Sequence, residues 1–241
     1  MNGIDCFFEG LQLITRPGLR KYVIVPLLIN MVVMAGFLAW GISSYDDWMA
    51  SVQNTLPEWL SFLSWVIGIL GVIVGVAILL YGFTIVGNII ASPFNAILSV
   101  KVEELLTGQK LTSETPLHLV IGRSIAREFS KLFYYLPRLA GLVILTLIPG
   151  LNTLSPFLWV FFGAWMMAIQ YVDYAADNNE LSFPALRDRL GASRLQAVLF
   201  GLMAYFLVAI PVVNLIVIPA AVAGGTVFWV HHLRPRAGGN V

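Results

Sequence analysis

The residues with the clearest chemical meaning lie just before the first long apolar run of the chain. Arg16, Arg20 and Lys21 are three cations within six residues, and a Pro-Gly pair between them predicts a helix break. A helix that begins after the break has free backbone N–H groups and the positive end of its dipole in its first turn. Those groups and two cations would attract an anion together. The segment therefore predicts either an anion site or basic anchors at a membrane edge.

The composition indicates an integral membrane protein. Hydrophobic residues make up 59% of the chain and charged residues 11%, and the mean hydropathy is +0.84. Soluble domains carry about 25% charged residues. The single cysteine, Cys6, excludes an intrachain disulfide. Asp5 and Glu9 stand where a signal peptide would carry basic residues, so we expect the membrane segments themselves to direct insertion.

The elements that must position the break are predicted to be helices. Residues 1–18 form an amphipathic helix and a turn, with the apolar face made by Ile4, Phe7, Phe8, Leu11 and Ile14. Residues 19–42 and 59–100 are long enough to cross the membrane, and the second helix is expected to project beyond it or to bend near Pro93.

Two pairs of shorter apolar segments follow, in residues 133–172 and 195–230. Each arm has about 16 or 17 residues, roughly 25 Å of helix, which is short for a full crossing. The tips contain proline and asparagine and no charge. We expect two half-inserted helical hairpins, with non-helical tips surrounded by protein or by a wet cavity. The alternative is four short, tilted spans.

The two hairpins resemble each other in sequence. Ile148-Pro149-x-x-Asn152 matches Ile210-Pro211-x-x-Asn214, and Gly163 and Gly225 each follow the asparagine by eleven residues. Related hairpins around a shared cavity are typical of transporters.

The distribution of charge predicts the topology. The loop predicted at residues 43–58 has no Lys or Arg, and all fourteen basic residues lie elsewhere. If each hairpin enters and leaves on one side, every basic segment is cytoplasmic, including residues 101–132, with an amphipathic surface helix at residues 117–132, and the tail 231–241.

Polar residues in or beside the apolar runs are candidates for a pore or vestibule, because such residues usually face a bundle interior or water. Hydrogen bonding between helices is the alternative for each asparagine. Glu103-Glu104 is expected to face the basic residues Arg123, Arg127, Lys131 and Arg138, whereas Asp173 and Asp177 are interpreted as a solvated helix end. The candidates are Asn30, Asn95, Glu103, Arg127, Arg138, Asn152 and Asn214.

The sequence contains no catalytic motif that we recognise. His231 and His232 are adjacent rather than spaced for zinc, and neither a G-x-S-x-G turn nor a P-loop occurs. We expect neither an enzyme nor a metal or organic cofactor, and no nucleic acid partner.

Several long motifs resemble the CysZ family of bacterial sulfate permeases. The similarity runs from about residue 7 to residue 232 and includes Leu13-Ile14-x-x-Pro17-Gly18-Leu19-Arg20-Lys21, Ile90-Ala91-Ser92-Pro93-Phe94-Asn95, Arg127-Glu128-Phe129, Tyr135-Leu136-Pro137-Arg138, Ala164-Trp165-Met166 and Pro211-x-x-Asn214.

The resemblance implies a fold, a function and a site. The fold is all-α, with two long transmembrane helices, two half-penetrating hairpins and amphipathic surface helices. The function is uptake of sulfate through the inner membrane for cysteine biosynthesis, by an oligomer that contains antiparallel subunits. The implied sulfate site is Gly18, Leu19, Arg20 and Lys21, where Lys21 replaces the family's usual arginine and loses bidentate geometry. The competing hypothesis is a membrane scaffold that transports nothing.

Overall fold

The computed structural model describes residues 1–111, 117–210 and 213–234, and within them the chain is helical and contains no strand. Eight α-helices occur in this part of the chain. They are α1 (Gly3–Leu13), α2 (Lys21–Thr55), α3 (Leu63–Thr107), α4 (Leu117–Leu147), α5 (Ser155–Asn178), α6 (Phe183–Ala192), α7 (Arg194–Val208) and α8 (Asn214–Phe228). A π-helical turn, Trp229–Leu233, extends α8. The all-α prediction is confirmed.

The chain forms two compact units. The first contains residues Met1–Val23 and Asn95–Val241, and the second contains Ile24–Phe94. The second unit is a pair of long helices that pack where glycine allows close approach: a Cβ atom added to Gly71 would lie 2.1 Å from the Trp48 ring. Large apolar side chains such as Val32 and Ile42 are more than 70% exposed, as expected for helices that contact lipid.

In the first unit, α1 packs against α7 and α8, and α5 packs against the same two helices. The backbones approach closely because small residues line the contacts. A Cβ atom on Gly10 would lie 2.2 Å from the backbone nitrogen of Gly224, and one on Gly201 would lie 1.9 Å from the Ala164 carbonyl oxygen. Phe7, Phe200 and Phe228 fill the space between the helices.

The buried face of α1 agrees only in part with the predicted one: Phe7 and Ile14 are buried and Leu11 packs against the core, but Phe8 is exposed. Its buried residues are Gly3, Cys6, Phe7, Gly10 and Leu13. The predicted face included Phe8, which is 47% exposed. The buried stripe includes glycines, which hydrophobicity alone does not identify as packing positions. Burial raises the pKa of the Cys6 thiol to about 12.

The helices begin and end at other residues than the predicted segments. The expected loop at residues 43–58 is helical as far as Thr55. Helix α3 begins at Leu63 rather than residue 59 and runs through Pro93 to Thr107, beyond the predicted end at residue 100. Helix α4 passes through residues 132 and 133, where the surface segment 101–132 was expected to give way to the hairpin 133–172. The tail 231–241 begins inside the π-helical turn.

The first hairpin also has longer arms than predicted. Its helices α4 and α5 have 31 and 24 residues, whereas α7 and α8 of the second hairpin have 15 each. Within the described residues, four helices are long and apolar enough to cross a membrane: Lys21–Thr55, Ala126–Leu147, Leu151–Asn178 and Asn214–Leu233. Helices α6 and α7 together are apolar enough but bend by 104°. Half-insertion of the hairpins stays a prediction.

Candidate functional site

The helix break occurs where the sequence predicts it. Helix α1 ends at Leu13, α2 begins at Lys21, and Gly18 between them has a φ of +94°. Only glycine adopts this conformation without strain. No heavy atom lies within 4 Å of the position that a Gly18 Cβ atom would occupy, so the space beside the turn is open.

The backbone of the turn is partly available to a ligand. The N–H groups of Leu19 and Arg20 both donate to the Arg16 carbonyl oxygen, at 3.1 and 3.2 Å. Within the described part of the chain, the N–H groups of Gly18 and Lys21 have no backbone acceptor. The turn therefore has two donors for an anion rather than the full set that the resemblance implies.

The two cations of the turn, Arg20 and Lys21, are exposed. Leu19, which precedes them, is 7% exposed and packs in the core. The Lys21 ammonium lies 5.1 Å from the centre of the Tyr22 ring. Among the described residues, neither Arg20 nor Lys21 pairs with a carboxylate. Leu19 fixes the turn to the core, and both cationic side chains stay free for an anion in solution.

A buried ionic cluster joins α4 to α5. Arg127 Nε donates to Asp173 Oδ1 at 2.6 Å, and Lys131 Nζ lies 3.0 Å from Asp173 Oδ2. All three residues are at most 6% exposed. Lys131 also pairs with the exposed Glu128 at 2.5 Å, and Arg127 donates to the Leu181 carbonyl oxygen. A buried charge without its partner is costly. The cluster therefore fixes α4 against α5 at the side of the membrane that is predicted to be cytoplasmic.

This cluster corrects two predictions. Asp173 is the buried partner of Arg127 and Lys131, not part of a solvated helix end. Glu103-Glu104 does not face them: the described partner of Glu104 is Lys101, at 2.6 Å. The side chain of Arg123 lies outside the described residues. The spacing of these residues is the signal that could have indicated the pairing. Arg127 and Lys131 are four residues apart on one helix, and Asp173 and Asp177 are four residues apart on the next long helix, so each pair lies on one helix face.

Glu103 forms a second buried site, near the end of α3. Its carboxylate accepts hydrogen bonds from Asn179 Nδ2 at 2.7 Å and Trp229 Nε1 at 3.3 Å, and Arg234 Nε lies 3.7 Å away. Burial raises the pKa of the Glu103 carboxyl, although these three partners oppose the shift. Glu103 thus ties α3 to the end of α5 and to the π-helical turn. Sequence reasoning identified Glu103 but none of its partners.

The candidate asparagines occupy different environments. Asn30 is 7% exposed in the second unit, near Gly87, and its Oδ1 has no hydrogen-bond partner there. Asn95 is 5% exposed in the first unit. Asn152 and Asn214 lie at the hairpin tips, and each donates its backbone N–H to the isoleucine four residues earlier, at 3.1 Å.

The same backbone hydrogen bond thus occurs in each of the two tips, at the same positions of the shared motif, which supports the predicted repeat. Pro211 lies outside the described residues. The two glycines of the repeat both allow contact with the other hairpin: a Cβ atom on Gly163 would lie 2.2 Å from the Tyr205 ring, and one on Gly225 would lie 2.5 Å from the Tyr171 carbonyl oxygen.

Arg138 is separate from the buried cluster in its contacts. Its guanidinium lies 3.6 Å from the centre of the Tyr134 ring and donates to the Tyr134 carbonyl oxygen at 2.8 Å. The structure thus brings Arg127 together with Asp173, and Glu103 together with Trp229. Asn95 hydrogen-bonds to Tyr174, the residue that follows Asp173. Within the described residues no group of His, Cys, Asp and Glu could hold a metal ion.

The fold and the turn define a class: an all-α, multi-pass membrane protein with cations and backbone N–H groups suited to an anion. The chain belongs to the family described as sulfate transporter CysZ/etoposide-induced protein 2.4, whose model matches residues 6–219. The prediction from its motifs is confirmed.

Curated relatives cover almost the whole chain. It is 41% identical over 240 residues to a protein of Pseudomonas aeruginosa, with 98% of each chain covered. It is 45% identical to one of Pseudomonas syringae pv. tomato (95% of this chain, 92% of the relative) and 40% identical to one of Vibrio cholerae (98% and 95%). Each relative is named "Sulfate transporter CysZ". These names describe transporters rather than enzymes.

Proposed function

We propose that this protein transports sulfate across the bacterial inner membrane, supplying sulfate for assimilation into cysteine. The observation that carries the proposal is the turn Gly18–Lys21, an open, cationic helix terminus in a chain of this family. Sulfate is a dianion at neutral pH and only accepts hydrogen bonds, so a site with donors and no carboxylate suits it.

In this mechanism the turn captures the anion and orients it. The N–H groups of Gly18 and Lys21, which have no backbone acceptor among the described residues, would donate to the anion, and the Arg20 guanidinium adds a bidentate donor. The Lys21 ammonium contributes charge without a fixed geometry. Leu19 anchors the turn in the core, so the donors are held in place before the anion arrives.

The path beyond the turn is proposed to use polar groups of the membrane segments. Asn30 has a buried, unpartnered oxygen, and Asn95 is also buried. The hairpin tips at Asn152 and Asn214 would supply helix amino termini to the anion. The Glu103 and Arg127 sites would shape the vestibule. We also propose a homo-oligomer in membrane lipid, with the hairpins half-inserted.

Sulfate flux into liposomes that contain only this protein tests transport itself. We expect uptake of labelled sulfate down its gradient, above that of empty liposomes. Absence of flux under sulfate, proton and voltage gradients would instead favour the membrane scaffold.

Sulfate affinity of purified variants tests the site. Hydrogen bonds to a charged group contribute about 1.5–3 kcal/mol each, so Arg20→Ala is expected to weaken sulfate binding by about tenfold or more. Lys21→Ala should have a smaller effect, and Lys21→Arg should strengthen binding. Arg16→Ala is the matched control, because it removes an equal charge from the same segment. Equal affinity in the Arg20→Ala, Lys21→Ala and control proteins would exclude the turn as the site, even if flux persists.

A further inference from the structure

The first unit contains a groove that the transport proposal does not use. Its volume is about 540 Å³, within the range of ligand sites. Helices α4, α5 and α7 form it, and apolar side chains make most of its surface, among them Leu142, Leu145, Leu158 and Phe161. Arg138 and Arg194 are its two cations, and no described residue that lines it is acidic.

Arg138 and Arg194 both line the groove. Trp165 Nε1 donates to the Tyr134 hydroxyl at 3.0 Å, and the Arg138 guanidinium stacks on the Tyr134 ring. Gly163 of α5 packs on Tyr205 of α7, and Gly201 of α7 packs on Ala164 and Ala168. Helix α7 therefore runs antiparallel to α5, and its start, with Arg194, lies towards the carboxyl-terminal half of α5.

Among the described residues, neither arginine pairs with a carboxylate. Arg138 stacks on the Tyr134 ring and donates to the Tyr134 carbonyl oxygen, and Arg194 has no hydrogen bond or ion pair in the described part of the chain. Arg187 adds a third cation, 5.6 Å from the Tyr134 ring. It pairs with Asp188 at 3.3 Å, but both side chains are exposed, so this pair neutralises little of the local field.

We propose that this groove binds an anionic phospholipid, with the phosphate between Arg138 and Arg194 and an acyl chain along the apolar surface. Arginine binds phosphate oxygens in bidentate geometry, which two unpaired guanidinium groups can provide. Tyrosine and tryptophan, here Tyr134 and Trp165, prefer the depth of lipid headgroups. Basic pockets between membrane helices on the cytoplasmic side, where these residues are predicted to lie, select anionic headgroups.

Native mass spectrometry of the detergent-purified protein tests the proposal, with phosphatidylglycerol and phosphatidylcholine as probes. We expect the wild-type protein to retain phosphatidylglycerol at least tenfold better than phosphatidylcholine. The R138Q/R194Q variant should lose this preference. The R16Q/K110Q variant is the matched control: it removes the same charge from exposed positions outside the groove and should keep the preference.

A second variant fills the apolar part of the groove and leaves both arginines unchanged. Gly141 lines the groove, and a Cβ atom there meets no heavy atom within 4 Å, so the side chain of Gly141→Leu begins in open space and extends into the groove. We expect it to reduce phosphatidylglycerol retention as well.

Three results would overturn the proposal. One is equal retention of phosphatidylglycerol by wild-type and R138Q/R194Q proteins. Another is release of the lipid by millimolar inorganic phosphate, which would indicate a site for the free anion. The third is dissociation of an oligomer in R138Q/R194Q with the lipid count unchanged, which would make the groove an interface between copies of the chain.

Discussion

Asp173 is the buried carboxylate of α5 that pairs with two cations of α4. Its carboxylate is 5% exposed and lies within 3.0 Å of both Lys131 and Arg127. The residue types could be read from the sequence, but the pairing could not, because it depends on which helices are adjacent in space. Proximity in the chain favours Glu103-Glu104 as the partners of Arg127. The actual partner is 46 residues from Arg127.

We therefore predict that Asp173→Asn is strongly destabilising. Removing one member of a buried ionic group leaves the others uncompensated and costs about 3–5 kcal/mol. Thermal unfolding of the purified protein in detergent measures the effect. Asp188→Asn is the control, since Asp188 is exposed and pairs only with an exposed arginine. A similar unfolding temperature for the two variants would show that the cluster contributes no more than a surface pair.

At the scale of elements, the helices were predictable and their ends were not. Apolar runs predict α2, α3 and both hairpins, but charge is a poor guide to the helix ends, since α2 continues to Thr55 and α4 begins in a basic segment. Helix α4 continues from its basic part through Pro137, and α3 continues through Pro93. The Pro-Gly break before α2 was placed correctly because Gly18 there has a positive φ, which an ordinary helix cannot contain.

Close helix packing gives the second prediction at this scale. A Cβ atom on Gly10 would lie 2.2 Å from the backbone of α8, which cannot rotate away as a side chain can. Gly10→Ala should force α1 from α8 and reduce the free energy of unfolding by about 3 kcal/mol. Gly191→Ala, where the Cβ atom meets nothing within 4 Å, should leave stability unchanged or slightly higher. Equal stability of both variants would mean that α1 docks less closely than described.

At the scale of the whole molecule, the sequence predicts one orientation in the membrane. Residues 43–58 carry no basic residue, whereas all fourteen lie elsewhere. That asymmetry is a property of composition and could be found without a structure. The antiparallel assembly implied by the family resemblance would instead place the same residues on both sides.

Cysteine labelling distinguishes these two arrangements. Asp46 and Lys110 are both exposed. With a membrane-impermeant maleimide on spheroplasts, Asp46→Cys should be labelled directly and Lys110→Cys only after the membrane is permeabilised. Each variant labelled to about half in intact spheroplasts would contradict a single orientation and support antiparallel subunits.

The buried Cys6 makes such labelling unusually simple. Cys6 is fully buried, and burial raises the pKa of its thiol, so little of the reactive thiolate form is present near neutral pH. We therefore expect Cys6 to stay unlabelled in the folded protein, so that the signal comes from the introduced thiol. Reaction of Cys6 itself would be a built-in signal that α1 has separated from α7 and α8, so the time course of its modification measures how often the amino-terminal helix opens.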